Sequence, residues 1–202
     1  MKIACDCSYC LEHTFIWEIN SMVWVEIPKN GSHNLKHFRF KNKLNLINSN
    51  QINNYKRGFL ILRDPIERFR SLLSFYFINN VVPVITDKIY PNINPPRYLG
   101  GSWLYNLKTN HKNICDIVLD NFKFISKIED AHHFSSQKSF IPNEFYNLNF
   151  TVYNLKEMNL FFGMEKKVNT TNTSSIYISK SNEQKIKDLY SDDVELYEKY
   201  LI

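Results

Sequence analysis

"GFLILRDPIERFRSLLSFYF", residues 58–77, decides how the rest of the chain is read. Phe59 to Leu62 form an unbroken apolar run of the kind found in strands buried on both faces. Arg63 and Asp64 end that run, and Pro65 opens a helix, because the missing N–H of proline costs nothing in a first turn. Ile66, Phe69, Leu72, Leu73 and Tyr76 then recur at helical spacing and give one broad apolar face. The segment is therefore predicted to be strand, tight turn and helix.

The same order appears upstream. "MVWVEI" (22–27) is a second buried-strand pattern that Pro28 terminates, "PKNGSHN" (28–34) is a tight polar loop, and "NLKHFRFK" from Asn34 has helical spacing with Asn34 as its cap. Residues 42–57 are polar and rich in asparagine, as expected of a connection or a short helix. Residues 83–103 gather Pro, Gly and Asn among aromatics, which predicts a long ordered loop of the type that borders binding sites. Downstream, a helix is expected over 113–128, a strand over "FTVYNL" (150–155) and a helix in "KEMNLFFGM" (156–164). A closing helix is expected in "KIKDLYSDDVELYEKYL" (185–201), with Ser181 and Gln184 as its capping box. Alternating strands and helices predict an α/β fold with a mainly parallel central sheet flanked by helices.

At 202 residues the chain fits one domain, 1–202, with a sizeable core. Apolar residues are 44%, aromatics 15% and charged residues 22%, which argues against long disorder. The net charge of +5 favours anionic ligands. Its lysines are scattered, and the aromatic-basic pattern of an RNA-binding sheet is missing, so nucleic acid is not the expected partner. No run of 18 apolar residues occurs and "MKIACDCSYC" lacks a signal-peptide core. The sequon Asn30-Gly31-Ser32 would set a glycan inside the polar loop, so a cytoplasmic protein is expected. Cys5, Cys7 and Cys10 could form a metal site with His13, but the spacing has no second pair, and reduced thiols are the preferred reading.

The loop at 28–34 is not the phosphate loop of nucleoside triphosphatases, in which Lys and Ser/Thr close the motif and the hydroxyl holds magnesium. Here Lys29 precedes Gly31. The second segment supplies what the first lacks: Arg63 stands at a strand end and Ser71 lies eight residues on, an arginine fork and a hydroxyl suited to clamping a phosphate.

These segments together resemble the carbohydrate sulfotransferases that take their sulfuryl group from 3′-phosphoadenosine 5′-phosphosulfate (PAPS). In that family a Pro-Lys loop wraps the 5′-phosphosulfate, and Arg-Asp-Pro-x-x-Arg-x-x-Ser holds the 3′-phosphate. The matching residues are Pro28-Lys29, and Arg63-Asp64-Pro65 with Arg68 and Ser71. "HHFSSQ" (132–137) is similar to the family's His-Trp-x-x-Gln element, with His133, Phe134 and Gln137. "YNLKEM" (153–158) looks like a further family turn, and "LYSDDVELYEKY" (189–200) resembles its closing Tyr-x-x-Asp-x-x-x-Tyr helix. His33 and Asn34 depart from the pattern, standing where the family usually has hydroxyl residues.

The resemblance implies a three-layer fold like that of the P-loop nucleoside triphosphatases, and PAPS as donor with no metal. Lys29, Asn30, Gly31, Ser32, His33, Asn34, Arg63 and Ser71 would bind the donor, and Lys29 would also steady the departing phosphate oxygen. His133 would be the general base for a carbohydrate-like acceptor, with His132, His37 and Glu67 as alternatives, and Arg68 would brace the loop through an ion pair. A catalytically weak nucleotide- or glycan-binding protein on the same scaffold is the competing expectation. The acceptor and the oligomeric state are not legible.

Overall fold

The computed structural model describes residues 14–28, 30, 44–74, 114–120, 122, 131–157 and 176–202. Among them are strands β1 (Phe15–Ile19), β2 (Met22–Glu26), β3 (Asn45–Ile47), β4 (Arg57–Leu62) and β5 (Asn149–Asn154). The helices are α1 (Pro65–Leu73), α2 (Ile114–Asp120), α3 (Lys180–Leu189) and α4 (Ser191–Leu201). Short 3-10 turns lie at Ser49–Asn54, Ala131–Phe134, Gln137–Phe140, Asn143–Asn147 and Leu155–Glu157. The packing divides into two compact units, each drawn from separated stretches of chain.

One unit carries the sheet, with strand order β3-β1-β2-β4-β5. β2 pairs with β4 and β4 with β5 in parallel, whereas β1 pairs antiparallel with both β2 and β3. The α/β class holds, but the sheet is mixed rather than mainly parallel. The cause is the β1–β2 hairpin: a two-residue connection can only return the chain antiparallel. Asn20 and Ser21 make that turn with φ of 50° and 60°, the left-handed values that match the twist of a hairpin.

Alternation along the strands sorts side chains to two faces. Val23, Val25, Leu60 and Leu62 pack on one face with Phe140, Phe145, Leu148 and, from α4, Leu196. Trp24, Phe59 and Ile61 fill the other, where Trp24 and Phe59 are register partners with stacked rings 6.1 Å apart. Trp24 and Phe59 are both essentially fully buried, and burying an apolar side chain of this size is worth about 2–3 kcal/mol. Gly58 sits in β4 because its neighbours leave no space: a Cβ there would come within 2.7 Å of Phe145 Cε2 and 3.0 Å of Leu148 Cδ1.

The second unit is helical. Phe69, Leu72 and Leu73 of α1 pack with Ile114 and Val118 of α2, Ile186 of α3, and Phe134 and Tyr190. Asn182 Nδ2 donates to Asp116 Oδ1 at 2.9 Å, tying α3 to α2. The expected closing helix is two helices, interrupted at Tyr190 (φ −110°, ψ 36°), and its cap is Ser179, whose Oγ accepts from Asn182 N, rather than Ser181. The tyrosine sits at the break because its hydroxyl donates to Phe134 O at 2.8 Å. The expected loop at 83–103 and the helix from Asn34 lie outside the described residues.

Candidate functional site

In the sheet unit, the parallel strands β2, β4 and β5 all end toward one edge. That carboxyl edge is where open α/β sheets bind ligands, because the loops leaving the strands splay apart there. The loop after β2 begins with a turn in which Asn30 N donates to Ile27 O at 3.2 Å. Asn30 is 2% exposed. Its Nδ2 donates to Ile61 O at 2.8 Å and to Gln137 Oε1 at 2.6 Å.

Gln137 is fully buried and reaches the next strand end as well. Its Oε1 accepts from Arg63 N at 3.1 Å, and its Nε2 donates to Arg63 O at 2.9 Å. The carboxamide thus does for Arg63 what a neighbouring strand would do for a residue inside the sheet. One side chain thereby ties the loop after β2 to the loop after β4, which are the two segments singled out in the sequence.

Gln137 is itself held from below. Asp193, in the first turn of α4 and fully buried, accepts from Ser136 Oγ, from Gln137 N at 2.8 Å and from Lys138 N at 3.1 Å. Charge-assisted bonds of this kind are roughly twice as strong as neutral ones. At the end of β5, Asn154 Nδ2 donates to Tyr197 Oη at 2.6 Å. Burial pushes the Tyr197 phenol above its usual range, and the nearby Asp64 carboxylate pushes it further, while the bond from Asn154 works against both. Asn30 Oδ1 is buried with no hydrogen-bond partner among the described residues.

In the helical unit, Arg68 and Ser71 lie on the buried side of α1, at 1% and 6% exposure. Arg68 donates to Ser135 O at 2.8 Å and His133 O at 2.9 Å, so its fork clamps the backbone of the "HHFSSQ" element. Both of these bonds go to backbone carbonyl oxygens, at residues 133 and 135 and not in the polar loop at 28–34. His133 is half-buried in the Ala131–Phe134 turn, and Glu67 pairs with Arg70 along α1.

Of the predicted site residues, Asn30 and Arg63 are brought together through Gln137, while Ser71 and His133 belong to the helical unit. Lys29, Gly31, Ser32, His33, Asn34 and His37 lie outside the described residues, as do Cys5, Cys7, Cys10 and His13, and so does the His132 side chain. The linking roles of Gln137 and Asp193 went unread in the sequence. The only signals for them were the spacings His-Phe-x-x-Gln and Tyr-x-x-Asp, which mark positions and say nothing of contacts.

Among the described residues no group of three or more His, Cys, Asp or Glu is placed to hold a metal, and no helix is long and apolar enough to cross a membrane. No protein-family model, curated protein or solved structure matches the chain.

Proposed function

We propose that the chain is a PAPS-dependent O-sulfotransferase, acting on a hydroxyl of a carbohydrate-like acceptor on a scaffold related to the P-loop nucleoside triphosphatases. The observation that carries this reading is the bond set of Gln137, which joins the Pro-Lys loop after β2 to the Arg-Asp-Pro turn after β4 at one edge of the parallel strands. A donor with phosphates at both its 3′ and 5′ positions needs two anion-binding loops held at a fixed spacing. Two neighbouring strand ends supply it.

In the proposed reaction the acceptor oxygen forms a bond to sulfur as the bond from sulfur to the bridging phosphate oxygen breaks. The acceptor proton passes to a general base, and 3′,5′-ADP departs. Lys29 is assigned to the bridging oxygen, where negative charge builds, and Arg63 with Ser71 to the 3′-phosphate. His133 is assigned as base, since an imidazole can take a proton near neutral pH. Positioning and electrostatics dominate group transfers of this type, by analogy with phosphoryl transfer.

Calorimetry decides the donor. Binding of 3′,5′-ADP well above that of 5′-AMP is expected, and equal or absent binding would refute the assignment. Transfer of labelled sulfate from PAPS to a glycan panel then separates an enzyme from a binding protein, the alternative raised by His33 and Asn34 in place of hydroxyls.

A further inference from the structure

We infer that Gln137 is a positioning residue that sets the spacing between the two anion-binding loops, and through that spacing selects a doubly phosphorylated nucleotide; this rests on the donor reading above. β4 ends at Leu62, so Arg63 is the first residue beyond the strand. A residue there would ordinarily turn its N–H and C=O to water and leave its side chain free to wander. Here both groups are held by the Gln137 carboxamide.

The same Oε1 that accepts from Arg63 N accepts from Asn30 Nδ2, so one oxygen atom fixes both loops. Asn30 in turn donates to Ile61 O on β4, which closes the connection back onto the strand that delivers Arg63. Gln137 cannot drift, because the Asp193 carboxylate holds its backbone N–H. The partners are 107 and 74 residues from Gln137 in sequence, so no local preference of the chain creates this arrangement.

A spacer of this kind has a distinctive consequence. A ligand gripped by both loops gains from their fixed separation, as a two-point attachment does, whereas a ligand gripped by one loop does not. A side chain serving stability alone would affect all ligands alike, through the fraction of folded protein.

The test is calorimetry of the full chain with 3′,5′-ADP, 5′-AMP and 3′-AMP, for wild type, Gln137→Met and Asn30→Ala, with circular dichroism reporting the fold. Gln137→Met keeps the length of the side chain and removes its hydrogen bonds. It is expected to weaken 3′,5′-ADP by about 10-fold or more and each monophosphate by less than about 3-fold. Asn30→Ala, which leaves the Arg63 bonds in place, is expected to show the same selectivity at smaller amplitude, and it carries the test should Gln137→Met not fold. Equal losses for the three nucleotides, or no loss, would overturn the spacer role while leaving the donor reading intact. Failure of the wild type to prefer 3′,5′-ADP would overturn both.

Discussion

Asp193 receives the backbone N–H of Gln137 at 2.8 Å, joining the start of α4 to a turn 56 residues earlier. The carboxylate takes two further donors, Ser136 Oγ and Lys138 N, and is fully buried. Removing it takes the acceptor from the buried Gln137 N–H and Ser136 hydroxyl, while the Lys138 N–H keeps its bond to Ser136 Oγ. Asp193→Ala is expected to cost about 3 kcal/mol, and Asp193→Asn, whose oxygen can still accept, about half as much. Urea denaturation measures both, and equal costs would show that the donors are satisfied in some other way.

Gly58 is predicted to tolerate no larger residue. Phe145, against which an added Cβ would press, is fully buried and has little room to swing. Gly58→Ala should destabilise by about 1–3 kcal/mol through overpacking. Gly58→Ala combined with Phe145→Leu should recover part of that loss, and additive destabilisation in the double variant would point to a backbone cause.

Cys115 sets a pH dependence at the alkaline end. Burial, reinforced by the neighbouring Asp116 carboxylate, pushes its thiol from an ordinary 9.0 up to about 11. The folded state therefore holds the proton more tightly than the unfolded state. Its contribution is complete below pH 9 and declines as the pH rises toward 11, by about 2 kcal/mol. Comparing urea denaturation of wild type and Cys115→Ala at pH 8 and pH 11 isolates this loss; parallel stability curves would contradict it. In the folded protein near pH 8, peptide mapping should find Cys115 unalkylated.

Lys29 and Arg63 should separate chemistry from recognition. Lys29→Ala is expected to lower kcat by about 100-fold or more, because charge on the leaving oxygen goes unmatched. Arg63→Ala is expected to weaken 3′,5′-ADP by about 10-fold while leaving 5′-AMP nearly unchanged. Loss of discrimination in Lys29→Ala instead would exchange the two assignments.

The parts of the fold that could be read in advance are those whose signal is local. β2, β4 and α1 stood out as apolar runs punctuated by Pro28 and Pro65, and β5 as a run rich in β-branched and aromatic residues. β1 reads Phe-Ile-Trp-Glu-Ile, without clean alternation, and its turn into β2 uses Asn20-Ser21 where the strong hairpin signal is Asn-Gly, so the hairpin carries no strong local mark. β3 spans three residues, too few to show a period. The break at Tyr190 was hidden because "KIKDLYSDDVELYEKYL" keeps helical spacing throughout, and a hydrogen bond to Phe134 is not a property of spacing. The same limit applies to the site. Arg63 could be nominated from its place at a strand end, but nothing in an asparagine-rich chain marks Asn30 as the one bonded to Gln137.

The bonds around Gln137 also bear on the order in which the molecule assembles. The β1–β2 hairpin needs two residues of connection, whereas the cluster at the sheet edge waits for chain stretches 56 to 107 residues apart to meet. Closing such long loops costs entropy before any contact repays it. The edge built around Gln137 is expected to acquire its shape late in refolding and to open first on heating, leaving the sheet paired. Hydrogen exchange would register this as earlier loss of protection at the Arg63 amide than at amides inside β4. A protein built this way keeps its fold and its competence on separate clocks.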